Sequence, residues 1–220
     1  MVKKTIDDII KTMGKKFKNA PENILREDFT NILSRFSFLN LINWQFAENP
    51  FAINYTQQIK NLTYKIAEDA DTLIVSNFFK KKIDLQGVIC SVDFDKNSYS
   101  ELAIRSKIFQ KAEEYILVYN QEKELINIMV LEMPHRTGVT KAKIVFIYDI
   151  SNFSDLCFFV KEAITDISIL PIEKFSILLS TENSKNLEKV LMESNFVFEA
   201  KLLNETADNS ESYLWALLLK

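Results

Sequence analysis

In this chain of 220 residues the side chains that could carry chemistry are few, and their spacing excludes more than it supports. The single histidine, His135, sits in the stretch PHRTG. An imidazole titrates near neutral pH and suits proton transfer, but a lone histidine on a polar turn reads first as a solvated residue. Cys90 and Cys157 form no CxxC pair and no ligand spacing, so no metal is expected. Cys157 falls in the first turns of a predicted helix, where the dipole lowers a thiol pKa. With no Cys–His pattern beside it, the small apolar reading is preferred. The run Lys80–Lys82 is either a phosphate-seeking patch or a solvated hairpin turn, and the turn is preferred. Asn183 and Ser184 could hydrogen-bond an amide-bearing ligand or cap a helix, and the cap is preferred. Neither a Walker loop nor a dinucleotide fingerprint is present.

The elements that must position these residues are clearest from Lys141 onward. Ile144–Tyr148 is an unbroken apolar run of strand length within a predicted strand 143–150. Ser151 and Ser154 follow as candidate helix caps. The helix they open, 154–168, places Leu156, Phe159, Val160, Ala163 and Ile164 on one face. Residues 174–180 alternate Phe175, Ile177 and Leu179 as a strand. A second helix, 185–194, leads to strands 196–202 and 212–219. Upstream, 115–120, 125–133 and 143–150 are joined by short polar turns, which only an antiparallel meander accommodates. A helix is predicted over 98–112, with Leu102, Ile104 and Ile108 inward. Residues 72–79 and 87–94 read as a hairpin. Apolar spacing predicts helices over 5–18, from Pro21 to Leu39, and over 54–69. The expected division is therefore an all-helical part, 1–70, packed on an α/β part, 71–220.

Composition bounds the partners. Apolar residues make up 47% and phenylalanine alone contributes 17, which is the make-up of a packed globule. A net charge of −3 gives no sequence-independent pull toward nucleic acid or an anionic membrane. No apolar run reaches membrane-spanning length. Two thiols without a pairing pattern fit a reducing, cytoplasmic setting. The terminal strand carries Leu214, Leu217, Leu218 and Leu219 with Trp215. That exceeds what one strand face buries, so either the chain covers both faces or a second copy does, as a homodimer.

The order helix, three-strand meander, helix, strand, helix, two strands resembles the GNAT superfamily of acyl-CoA-dependent N-acyltransferases. The closest local likeness is TENSKNLEKVLMESNFVFEAKL, residues 181–202, continued by SYLWALLL at 212–219. Asn195-Phe196 stands where family members carry Gly-Phe, and asparagine tolerates the left-handed conformation a helix end wants. The likeness covers residues 71–220. It implies a mixed, mostly antiparallel α/β (α+β) sheet flanked by helices, with residues 1–70 as a helical amino-terminal part. One departure is large. Family members follow the strand at 143–150 with a loop Arg/Gln-x-x-Gly-x-Gly/Ala, whose N–H groups cradle a pyrophosphate. Here the loop is Asp149-Ile150-Ser151-Asn152-Phe153-Ser154-Asp155, without glycine or arginine. Asp149 and Asp155 put negative charge where that anion would sit.

The resemblance implies an acetyl-CoA or other acyl-CoA co-substrate and a small-molecule or peptide amine acceptor. The strands at 143–150 and 174–180 would splay apart. The co-substrate would lie against Ile147, Tyr148 and Ile150, with Ser151 and Ser154 at its phosphates and Asn183 at the cleft opening. Glu132 is the base this implies; because the helix at 185–194 lacks the family's tyrosine, Tyr148 or Tyr213 would substitute as the acid, with Tyr148 preferred since Tyr213 reads first as an ordinary strand residue. For Glu132 the plain alternative is a solvated strand end. Two functions follow: an N-acyltransferase whose acceptor site residues 1–70 would wall, or a non-catalytic binding or regulatory module that has lost the cofactor loop. The second predicts a cleft closed by side chains such as Phe153.

Overall fold

A computed structural model describes residues 5–38, 42, 55–82, 89–92, 94–134, 139–167, 172–203 and 211–219. The chain divides into two units, 1–52 and 53–220. In the first, helices α1 (Ile6–Lys16) and α2 (Glu22–Phe38) form where apolar spacing predicts them. The Thr5 side chain caps α1 and Asp8 returns the bond in a capping box, while Ile10 and Leu25 are buried.

The second unit is one mixed sheet with helices on both faces. Strands β1 (Thr56–Ile59), β2 (Leu62–Ile66), β4 (Glu113–Tyr119), β5 (Leu125–Glu132), β6 (Lys141–Ile147), β7 (Lys174–Ser180), β8 (Val197–Leu202) and β9 (Ser212–Leu218) lie in the order β1-β2-β4-β5-β6-β7-β9-β8. A two-residue strand, β3 (Ile89–Cys90), joins β6 outside that order. Among the described residues only β6 and β7 pair in parallel; the other pairings are antiparallel. The β4–β5–β6 meander, and the crossover through α5 (Phe153–Ile167) to β7, follow the apolar periods of the sequence.

One face of the sheet packs on α5 and α6 (Thr181–Glu193). Leu156, Phe159, Val160, Ala163 and Ile164 are buried there with Ile116, Met129, Leu131, Ile144, Phe175 and Ile177. Each fully buried side chain of this size stabilises by about 1.5–3 kcal/mol. The opposite face carries α3 (Thr72–Lys82) and α4 (Glu101–Phe109), under which Phe79, Phe94, Tyr99 and Phe146 stack at centroid distances of 4.6–5.2 Å. At the end of α6, Asn195 takes φ 63°. Its N–H donates to Met192 O at 3.0 Å and that of Phe196 to Leu191 O at 2.9 Å, closing a Schellman motif. Asparagine does here what the expected glycine would.

Four expectations are corrected. Residues 54–69 are not a helix. They contain the β1–β2 hairpin, because Leu62, Tyr64 and Ile66 also fit period two, and the sheet buries Tyr64 and Ile66. Lys60 makes the turn at φ 55°. Residues 72–79 are not a strand but α3, with Thr72, Val75, Ser76 and Phe79 buried at helical spacing while Leu73 and Ile74 face out. Tertiary packing overrides the β-branched composition. Lys80–Lys82 consequently lies in α3, and no 72–79/87–94 hairpin forms. Leu102, expected in the core, is 77% exposed, whereas Ile104 and Ile108 are buried as predicted.

Candidate functional site

The site grows out of the parallel junction. β6 and β7 pair from Lys141↔Lys174 to Ile144↔Ile177, and no further. Both strands continue, β6 to Ile147 and β7 to Ser180, so they part into a wedge whose apex lies at Ile144/Ile177. A register shift on the other edge of β6 sets Val130 against Phe146 and Leu131 against Ile144, so Val145 is a bulge at the apex.

The wedge holds a piece of the same chain. β3 pairs antiparallel with β6 in the register Ile89↔Ile147 and Cys90↔Phe146. The Ser91 N–H donates to Val145 O at 2.9 Å, and the Val92 N–H crosses to Leu178 O of β7 at 3.2 Å. Residues 89–92 thus bond to both lips of the wedge and run from its mouth to its apex. Ser91 is 3% exposed, and its hydroxyl has no hydrogen-bond partner. Burial pushes the Cys90 thiol up to about 11.

Past β6 the chain turns into α5, and the turn satisfies itself. Asn127 of β5, buried, clamps the backbone of Asp149: its Nδ2–H donates to Asp149 O at 2.6 Å, and its Oδ1 accepts the Asp149 N–H at 3.0 Å. The Asp149 carboxylate accepts the Ser151 N–H at 2.9 Å and the Ser151 hydroxyl at 2.8 Å. The Phe153 N–H donates to Ile150 O, and the Ser154 hydroxyl meets that of Ser194 at 2.8 Å. An internal carboxylate therefore takes the Ser151 donors of the turn that leads into α5, next to where an anion would approach a helix N-terminus. Lys60, from the β1–β2 turn, brings a cation there by pairing with Asp155 at 2.8 Å.

The predicted site residues are spread along this wedge. Ile147 is buried, with β3 on one side and β5 on the other. Tyr148 lies at the mouth, its N–H bonded to Ile128 O and its ring edge-on to Phe78 at 4.9 Å. Ile150 packs against the core. Ser151 and Ser154 are engaged as described. The Asn183 N–H donates to the Ser180 hydroxyl, so Ser180 caps α6, and buried Ser184 accepts the Trp215 indole N–H at 2.9 Å. Glu132 is half-buried, opposite Lys143 of β6 and Glu113 of β4.

Tyr148 is level with Ile128, four positions along β5 from Glu132, about 13 Å at a strand rise of about 3.3 Å. The two do not meet at one reacting centre. Glu132 is near the apex, and Tyr148 walls the mouth. Phe153 does not close the wedge: it is buried against Phe196, with ring centroids 5.5 Å apart, and closure comes from residues 89–92. Cys157 is buried, and its thiol is pushed up rather than down, because desolvation outweighs the dipole. His135 lies outside the described residues.

Glu132 borders a polar cluster under α4. Glu113 accepts the Tyr115 hydroxyl at 2.5 Å and Lys107 Nζ at 2.8 Å, and Lys107 lies 4.1 Å from the Tyr99 ring centre. Burial lowers the Lys143 pKa and, with Glu113 nearby, raises those of Tyr99 and Tyr115. Sequence reasoning missed Asn127, Lys60 and residues 89–92. Asn127 carried a signal, a polar residue at an inward position of the strand LINIMVLE. The other two are matters of long-range placement.

No family model matches the chain, and no curated protein does. Solved structures do. Ribosomal-protein-S5-alanine acetyltransferase from Vibrio fischeri superposes with a TM-score of 0.56 at 11% identity, over 75% of this chain and 97% of that one. Spermidine N-acetyltransferase from Vibrio cholerae, in complex with CoA and spermine, gives 0.54 at 17% identity, over 73% and 97%. A dodecameric structure of the Vibrio cholerae enzyme gives 0.52 at 18%, over 73% and 95%. The strand order, the parallel junction of β6 with β7 and these superpositions give the chain a GNAT-like fold shared with those acetyltransferases, without the glycine-rich phosphate loop.

Proposed function

We propose that the chain is an acyl-CoA-dependent N-acyltransferase acting on a small-molecule or peptide amine. The observation that carries this reading is the parting of β6 and β7 beyond Ile144/Ile177, directly before the N-terminus of α5. That is the arrangement the resemblance assigns to an acyl-CoA cleft, and a neighbour of the same fold is described with CoA and a polyamine. In the arrangement described, the residues do not fit the co-substrate, since residues 89–92 bond to the edge and Asp149 stands next to the anion position. The described form is therefore a closed one. Glu132 Oε is the proton acceptor proposed for the amine, Tyr148 lines the cleft mouth, and Lys60 with the Ser151 and Ser154 hydroxyls forms its phosphate end.

The test is thiol release from acetyl-CoA across a panel of polyamines, amino sugars and peptide amines. Amine-dependent release that falls at least tenfold in Glu132→Gln, at unchanged melting temperature, is the expected result. The self-capped loop favours a second reading, a non-catalytic module. Well-folded protein that neither binds coenzyme A at millimolar concentration nor releases thiol would establish that alternative and remove the first.

A further inference from the structure

We propose that residues 89–92 are an intramolecular competitor of acyl-CoA, a strap that occupies the cleft and leaves when the co-substrate enters. The inference rests on the acyltransferase reading above. Three observations carry it. First, the segment takes the upper edge of β6 over Val145–Ile147 and reaches β7 through the Val92 N–H, so both lips of the wedge are bonded to it. An edge pairs with one extended partner at a time, so this segment and an acyl-CoA lying along β6 at Ile147 and Tyr148, where the resemblance puts it, exclude each other.

Second, the segment is built to let go. β3 has two residues against seven or eight in β4, β5 and β6. It also buries the Ser91 hydroxyl without a partner, which penalises the closed state alone. Third, its exit is tied to the other face of the sheet. Phe94, two residues on, stacks on Phe146 at 4.8 Å and on Tyr99 at 5.2 Å, and Tyr99 stacks on Phe79 of α3 at 4.6 Å. Release of the strap therefore tugs on the cover of the face that holds Glu132 and Glu113. In this way co-substrate entry prepares the acceptor side.

Two variants push in opposite directions. Val92→Pro deletes the N–H that bonds Leu178 O, and proline suits position 92, the second residue of the turn that the Phe94 N–H closes on Ser91 O at 2.9 Å. Ser91→Ala removes the unpaired hydroxyl and so favours the closed state. Acetyl-CoA affinity is measured by calorimetry for wild type and both variants, with thermal melts as the folding control. In parallel, alkylation of Cys90 is followed by mass spectrometry with and without acetyl-CoA. The expected result is affinity at least tenfold tighter in Val92→Pro and about threefold weaker in Ser91→Ala. Saturating acetyl-CoA should also speed Cys90 alkylation at least tenfold in wild type. Equal affinities in all three proteins, with Cys90 still protected at saturation, overturn the strap and leave the acyltransferase reading standing. No binding by any of the three, all melting cooperatively, removes the acyltransferase reading and the competitor with it.

Discussion

Replacing Asp149 with asparagine should strengthen coenzyme A binding. The Asp149 carboxylate accepts both the N–H and the hydroxyl of Ser151, at 2.9 and 2.8 Å, so it puts a negative charge in the turn just before α5. A pyrophosphate arriving there meets a like charge at a distance of about 5 Å. At an effective dielectric constant between about 80 and about 20, that repulsion is about 0.8 to 3.3 kcal/mol. Asp149 is half-buried beside solvent, which favours the low end, so affinity should rise by about four- to tenfold. Asparagine keeps one acceptor for Ser151 and loses the charge-assisted bond, costing about 1 kcal/mol of stability. Calorimetric titration of both proteins at low and high salt reads the effect directly. Salt should narrow the gap, since ions screen the repulsion that the substitution removes. Unchanged or weaker binding in Asp149→Asn would refute the placement of the phosphates at this helix.

Phe159→Ala should cost about 3–5 kcal/mol, because the ring is fully buried between Tyr55 and Tyr64 at 5.5 and 5.6 Å. Phe158→Ala, one residue away and 51% exposed, should cost less than about 1 kcal/mol in the same urea titration; equal costs would mean the helix is phased wrongly. Asn195→Ala forces a β-carbon that lacks asparagine's local bonding into the left-handed region, and should lower stability by about 1 kcal/mol in thermal melts. The Glu114 carboxyl is raised because burial outweighs the help of Lys111 Nζ at 3.4 Å. A raised carboxyl stabilises the fold below the ordinary carboxylate range and loses that contribution as pH rises through its folded value. Glu114→Gln should therefore gain on wild type from pH 4 to pH 7 in paired melts, and a constant difference would contradict it.

The part of the fold legible in the sequence is the part where one pattern has one reading. In β6 the apolar run 144–148 has strand length, and α5 buries every fourth or third residue while leaving Phe158 outside. Asn195 was readable because few residues other than glycine tolerate a positive φ. Between residues 54 and 94 the patterns are ambiguous. Leu62, Tyr64 and Ile66 match period two while Tyr55, Ile59, Leu62 and Ile66 match a helix, and only the neighbouring β4 decides. In α3 a β-branched composition argues for a strand, yet the sheet face offers a helix-wide surface lined by Phe146 and Tyr148. The site was legible only as far as its local pieces, the loop 149–155 and the cap of α6. That residues 89–92 come to lie between strands some fifty and ninety positions later is a property of topology, which no local spacing records.

The four-residue junction of β6 with β7 also divides the sheet along the direction of synthesis. All pairings among β1, β2, β4, β5 and β6 close within residues 56–147, and those among β7, β8 and β9 within 174–218. The residues of the larger half-sheet therefore all precede β7 in the order of synthesis, and that half can pair before β7 leaves the ribosome. At that moment one border of β6 awaits its partner, and an open border is a template for pairing with another nascent chain. Residues 89–92 are already made and cover Val145–Ile147. The remaining stretch, Lys141–Ile144, carries two lysines, the residue type that most discourages sheets from joining edge to edge. The growing polypeptide thus reaches β7 with its vulnerable margin half sheathed and half charged, and β7 closes what is left.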